Sequence, residues 1–393
     1  MEWINHKKII LIFADWYLPG YKAGGPIKSI SSIVNLLKDD FNFLIITTNT
    51  DFREEKPYDQ IEANQWVRNS DHLSVFYASK QFLTISNIFK LIKTINFDLV
   101  YLNSFFSFYF SILPLLFYKI KVIKVPVLLA PRGMLGVGAL GLKSNKKKKF
   151  ISIIRFIKLH NDIYWQATSE QEKKEITYVF GKKAKIALAP NMQYNDTSIS
   201  FNTSHKEKGK LKLFYLSRIS PVKNLLFALQ LLTEIKSNIG HVEYYIIGPI
   251  EDLMYWAKCT ELIKKLPSHI LVFYEGTVIN AEVAEKISPF HFLFLPTLNE
   301  NYGHAIVESF INGKPVIISD QTPWNDLSLQ NAGWDVPLNK SKDFIRIIEE
   351  CLTMDNATYL KYSDAAISYG KEKCLNEASI DLTKRMFINT FVS

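Results

Sequence analysis

Short apolar runs recur along the chain, and between them apolar positions fall three and four apart, as on one face of a helix. The runs at 8–13, 43–47, 99–102, 125–129, 164–167 and 186–188 are too short for helices, so they predict strands. Ile27, Ile30, Val34 and Leu37 have helical spacing. Ser169, with Glu172 three residues on, predicts a capping box that opens another helix. A second series of strands begins at 211–216 and continues through 244–248, 271–274, 292–295 and 316–318. Between the two series, 193–210 is polar and almost free of apolar residues, which predicts a linker.

Strands alternating with helices throughout place the chain in the α/β class, with parallel sheets covered on both faces. The expected organisation is two Rossmann-like domains, 1–192 and 211–374, joined by the linker 193–210. A C-terminal helix at about 375–393 is expected to pack back on the first domain. Ligands of open parallel sheets sit beyond the carboxyl ends of the strands. A deep cleft between two such facing domains is therefore the expected site.

The densest chemistry lies just after the run His291 to Pro296. Glu300, Asn301, Tyr302, Gly303 and His304 follow it, then a helical pattern of Ile306, Val307, Phe310 and Ile311 that Gly313 stops. Glu300 and Glu308 thus flank a strand-to-helix turn. The amides of such a helix start suit a phosphate, and a carboxylate beside them suits sugar hydroxyls. The plainer alternative is a helix-capping Glu300 and a solvated Glu308.

The segment PTLNENYGHAIVESFINGKPVIISD, Pro296 to Asp320, closely resembles the signature of retaining family-four glycosyltransferases. The resemblance implies the GT-B fold, with Glu300 at the donor sugar, Glu308 at the nucleotide ribose, and the amides of Tyr302, Gly303 and His304 toward the donor diphosphate. Asn301 stands where that family usually has Gly, and His304 where it usually has an apolar residue. His304 and Glu308 are four apart, so His304 is a candidate for either a helix-face partner or a substrate contact. SRISPVKN, Ser217 to Asn224, resembles the family's Arg and Lys motif after the first strand of the second domain. Arg218 and Lys223 are then implied to stabilise the departing nucleoside diphosphate, as fixed cations do for developing charge. Gly248 after YYII and Val278 after LVFYEGT match weaker landmarks, with the backbone near Val278 implied at the base.

In the first domain, Gly24 and Gly25 precede Pro26 where the family has its glycine loop. APRGML, Ala130 to Leu135, followed by Lys143 and by Lys146 to Lys149, resembles a branch that makes surface polysaccharides. Many relatives carry His-Asp where this chain has Pro131 and Arg132, so no general base carries over. Arg132 is a candidate contact to an acceptor or donor phosphate, or one half of a structural ion pair. Gly136, Gly138 and Gly141 have dinucleotide-binding spacing, but the run does not directly follow a strand, as a true fingerprint does.

Composition narrows the partners. The net charge is +9, and with it the family resemblance implies an anionic membrane surface or a lipid diphosphate acceptor as partner. No recognition motif supports nucleic acid, and the basic run 146–149 has the spacing of a solvated helix face. Three cysteines lack metal-type spacing, and together with an N-terminus unlike a signal peptide they predict a reduced, cytoplasmic setting. The longest apolar run, 105–118, is broken by Pro114 and is shorter than the roughly 18 residues of a span, so it predicts a buried helix.

The resemblance implies a metal-free, cofactor-free retaining transferase using a UDP- or GDP-sugar. It would act on a lipid-linked or oligosaccharide acceptor at the inner face of the membrane, the first domain on the acceptor side and the second on the donor side. A GT-B epimerase, a phosphorylase, or a catalytically silent membrane-associated scaffold are the alternatives.

Overall fold

The computed structural model describes residues 7–136, 144–193, 204–374 and 377–392. Gly138, Gly141, Lys143 and residues 194–203 of the expected linker lie outside the described residues. The chain divides into two compact units, one of Met1–Tyr194 with Glu377–Ser393 and one of Asn195–Asn376.

Unit 1 is built on β1 (Lys8–Phe13), β2 (Phe41–Thr48), β3 (Trp66–Ser70), β4 (Leu73–Ala78), β5 (Leu99–Leu102), β6 (Val127–Leu129), β7 (Tyr164–Ala167) and β8 (Lys185–Leu188). Their order is β3-β4-β2-β1-β5-β6-β7-β8. β1 lies between β2 and β5, pairing Lys8 with Phe41 and Ile10 with Leu99, both in parallel. The sheet order therefore reverses between β1 and β5. Helices cover both faces, which is why Ile10 to Phe13 and Leu99 to Leu102 are all fully buried. Helix Glu377–Val392 inserts Met386 and Phe387 into the same core, and its Lys384 pairs with Asp40 at 2.5 Å.

Unit 2 carries β9 (Lys210–Leu216), β10 (His241–Ile247), β11 (Ile270–Gly276), β12 (Phe292–Leu295), β13 (Val316–Ser319) and β14 (Gly333–Val336), in the order β11-β10-β9-β12-β13-β14. These pairings are parallel, and here the order reverses between β9 and β12.

Several expectations need correcting. The hairpin β3–β4 is antiparallel and was not anticipated, so the first sheet is mixed rather than purely parallel. β4 is buried along its whole length, so it lacks the period-two pattern that marks a hairpin. β14 was missed because it is short and opens on Gly333, where a Cβ would collide with the Val316 carbonyl. The capping box forms only by half. Ser169 Oγ accepts from the Glu172 amide at 3.1 Å, but Glu172 accepts from Thr168 and Gly133 amides at 2.7 and 2.6 Å, not from Ser169. The run 105–118 opens as a π-turn, Phe108–Ile112, before the helix Leu113–Lys119.

The end of the expected linker is also packed structure. Lys206 is 1% exposed and its ammonium donates to the carbonyls of Glu207, Leu352 and Met354, closing the helix Ser341–Thr353. Burial pulls Lys206 down to about 8. His291, at the foot of β12, accepts from the Lys212 amide through Nδ1 at 2.9 Å and faces the His205 carbonyl through Nε2 at 3.1 Å.

Burial, and then the ammoniums of Lys206 and Lys314, hold His291 at about 3 despite the favourable His205 carbonyl. Protonation from the ordinary 6.5 downward therefore favours the unfolded chain, so the stability of the neutral ring is complete above 6.5 and is lost as pH falls toward 3. We expect a loss on the order of 2 kcal/mol by pH 5 from this group. Denaturant titrations of the parent and His291→Gln between pH 7 and 5 check it, since parallel slopes for the two proteins would contradict the assignment.

Candidate active site at the strand ends

The loop after β9 makes a turn of 3-10 helix, Pro221–Lys223, then Asn224 adopts a left-handed conformation at φ 58° and starts helix Leu225–Thr233. The loop after β12, the neighbouring strand, lies against it. Leu298 donates its amide to the Val222 carbonyl at 2.8 Å, Thr297 Oγ1 donates to the same carbonyl at 3.0 Å, and Asn224 Nδ2 donates to the Pro296 carbonyl at 2.9 Å. This lacing spans the reversal of the second sheet. On it sits an ion pair, with Lys223 Nζ 2.5 Å from Glu300 Oε1 and the two side chains only 12% and 14% exposed.

Glu300 is thus neither a helix cap nor a free surface group. The helix His304–Ile311 is capped by Gly303, with no side-chain capping bond. Gly303 has φ 79°, which a residue with a Cβ adopts only under strain. Its carbonyl accepts from the Ile306 and Val307 amides at 2.9 and 3.1 Å. Glu308 lies in the second turn of that helix and is 7% exposed, so it is not solvated. Tyr302 is buried, its carbonyl accepting from Trp324 Nε1 at 2.5 Å and its ring 4.9 Å from that of His304.

Arg218 stands at the start of the β9 loop and pairs with Glu251 at 2.8 Å. Gly248 follows β10 at φ 143°, and a Cβ there would collide with the Ser217 carbonyl, so the glycine lets the two loops touch beside Arg218. The contact continues in the Ile219 amide bonded to the Pro249 carbonyl at 2.8 Å. Val278, beyond β11, is partly buried against the unit 2 core. The structure therefore brings Lys223 to Glu300 and Gly248 to the Arg218 loop. Glu251 was missed by sequence reasoning, although it lies close behind the Gly248 landmark.

In unit 1, Gly24 caps the helix Gly25–Leu36 at φ 68°, with open space where a Cβ would point. Asp51, a buried residue also missed, braces this loop by accepting from the Tyr21 and Lys22 amides at 2.9 and 3.1 Å. Arg132 follows β6 with φ 55°. Its guanidinium donates to Asn103 Oδ1 and the Tyr101 hydroxyl, both at 2.6 Å, and to Asn191 Oδ1. These three partners are neutral, so they orient the cation without cancelling its charge. Two of them, Tyr101 and Asn103, come from the neighbouring β5 and the residue after it.

Chemically, unit 2 offers a buried cation–carboxylate pair beside a helix start, a combination suited to an anionic group linked to a polyol. Residues 196–373 match the family model of glycosyl transferases group 1. In structure the chain is similar to Anabaena Alr3699/HepE in complex with UDP and glucose, with a TM-score of 0.68 and 15% identity over 98% of this chain and 100% of that one. It is similar to WaaG, a glycosyltransferase involved in lipopolysaccharide biosynthesis, with a TM-score of 0.65 and 12% identity over 95% and 99% of the two chains. The lipopolysaccharide outer core galactosyltransferase WaaB gives a TM-score of 0.61 and 15% identity over 97% and 99%. No curated protein sequence matches the chain. Unit 2 matches the glycosyl transferases group 1 model, and the two Rossmann-like sheets, one in each unit, give the chain the GT-B fold.

Proposed function

We propose that this protein transfers a sugar from a nucleotide-sugar donor to a growing surface glycan, with retention of the donor's anomeric configuration. The observation that carries the reading is the Lys223–Glu300 pair across the β9/β12 reversal, inside the domain that matches glycosyl transferases group 1. HepE was crystallised in complex with UDP-glucose, so UDP-glucose is the first donor to test.

In this reading the anomeric carbon loses its bond to the diphosphate oxygen and gains one to the acceptor oxygen on the same face. The acceptor proton passes to the departing diphosphate. Lys223 and Arg218, with the amides at the start of helix His304–Ile311, take up the charge that builds on that diphosphate, so no metal is needed. Glu300 faces the donor sugar and Glu308 the ribose. Gly24 and Gly25 give a phosphate room near the backbone.

The acceptor in this proposal is a polyprenyl-diphosphate-linked glycan, met at the inner face of the cytoplasmic membrane. Among the described residues no helix is long and apolar enough to cross a membrane. Surface attachment is supported by helix Ser144–Phe156 of unit 1, where Lys146, Lys148 and Lys149 are exposed beside Ile153 and Phe156 at 57% and 86% exposure. Anionic lipid answers both the charge and the apolar edge.

Four outcomes test the reading. Glu300→Gln should lower the turnover number, because its carboxylate acts where positive charge develops. Glu308→Gln should chiefly raise the Michaelis constant for the donor, because a ribose contact binds ground and transition states alike. Steady-state kinetics with UDP-glucose separates the two, and identical defects would remove the distinction. Lys223→Ala should cost about two powers of ten in rate on protein shown to be folded by thermal melting. Activity within about threefold of the parent would remove its role, because losing one such stabiliser costs far more. The protein should also sediment with anionic vesicles more than with neutral ones and be released by salt. Equal partition onto both would remove the membrane surface from the proposal.

A further inference from the structure

Unit 1 has a reversal of its own between β1 and β5, and a second carboxylate is held across it. Asp15 lies just past β1, while Ser104 and Ser107 lie just past β5. Ser107 Oγ donates to Asp15 Oδ1 at 2.6 Å, and Ser104 Oγ donates to Oδ2 at 3.1 Å. Ser104 is backed in turn by Ser111, the two hydroxyls 2.8 Å apart. The Asp15 carbonyl accepts from Thr48 Oγ1 at 2.6 Å, so the backbone is fixed as well. In an open parallel sheet, the crevice at such a reversal is where a ligand binds.

Three observations separate Asp15 from a merely structural carboxylate. Ser107 occupies the capping position of the π-turn Phe108–Ile112 but makes no side-chain capping bond, its hydroxyl being turned to Asp15 instead. Such π-turns occur frequently at functional sites. Burial pushes the Asp15 carboxyl up, and the two serine bonds and its own amide offset this only in part, with no cation among the causes. The residue as a whole is nonetheless not fully buried. Trp16, also partly exposed, follows directly, its ring 5.0 Å from Phe52. A partly exposed ring one residue along the chain from a fixed acceptor is a pairing that suits a sugar.

Other ligands fit poorly. Among the described residues no group of three His, Cys, Asp or Glu is placed to hold a metal ion. A phosphate at this position would meet a carboxylate of its own sign.

We propose that Asp15, held by Ser104 and Ser107 at the β1/β5 reversal, is the hydrogen-bond acceptor that seats a hydroxyl of the sugar acceptor. The inference rests on the transferase reading and names the acceptor-side residue that reading lacks. Asp15 aligns the hydroxyl, and the proton still leaves on the diphosphate of the donor.

The test uses the full chain, its Asp15→Asn and Ser107→Ala variants, and a panel of methyl and octyl hexopyranosides whose binding is measured by saturation-transfer NMR. A thermal shift with UDP serves as the separate donor-side readout. We expect a glycoside of the panel to bind the parent, Asp15→Asn to weaken that binding about tenfold or more, and Ser107→Ala to weaken it less. Both variants should keep the parent's UDP shift. Asp15→Asn should melt at or above the parent temperature, because it removes a charge that burial disfavours, whereas a structural carboxylate would give a lower melting point. Unchanged glycoside binding in Asp15→Asn, a lowered melting point, or no binding of any glycoside by the parent would each overturn the inference. Absence of a UDP shift in the parent would instead refute the donor reading of unit 2, and the glycoside measurement would still decide the role of Asp15.

Discussion

A parallel sheet covered by helices on both faces can place polar chemistry only at its edges and its strand ends. The central strands of both units obey this constraint, with Ile10 to Phe13 and Phe292 to Leu295 fully buried. Where the strand order reverses, the crossovers on either side leave toward opposite faces, and the ends of the two neighbouring strands are where ligands of such sheets bind. Both units place a bonded carboxylate at that point, Glu300 against Lys223 in one and Asp15 against two serines in the other.

The two carboxylates differ in what holds them. Glu300 faces a cation, so its charge is satisfied at little exposure, and removing Lys223 would strand it. Such losses are costly because an uncompensated charge is left in a poorly solvated place. The surrounding lacing of Val222, Thr297, Leu298 and Asn224 keeps both loops fixed, and Ser319 Oγ ties Thr297 to β13 at 2.5 Å. A site of this kind is preorganised, which is how fixed charges stabilise a transition state without rearranging. Asp15 has two hydroxyls and its own amide, which offset burial only in part, so its ionised form is held at a cost to stability.

Arg132 shows a third way of holding a charge. Tyr101 anchors the guanidinium and is itself fixed by donating to Gln166 Oε1 at 2.5 Å, and Gln166 Nε2 donates to the Ala189 carbonyl at 2.8 Å. Strand β5, the turn after β6, strand β7 and the residue after β8 are thereby tied by one polar network. The buried carboxylate of Glu172 holds the turn after Arg132 through the Gly133 amide.

Much of this was legible in the sequence. Local signals marked the apolar strands, the helix starting after Gly303 and the stop at Gly313, because burial on both faces and left-handed backbone leave traces in residue type. Strand pairing could not be read in the same way. The β3–β4 hairpin and the short β14 carry weak patterns of their own, and Lys206 reads as a linker cation until its carbonyl partners are known. By itself the sequence determined the α/β class, the residue types at each strand end and the glycines that the turns require. Only the tertiary structure decided that Lys223 meets Glu300, that Arg218 meets Glu251, and that Asp15 meets Ser104 and Ser107, pairs separated by 77, 33, 89 and 92 residues. Those meetings depend on which strands become neighbours, and that order is set by packing the whole sheet rather than by any local stretch of chain.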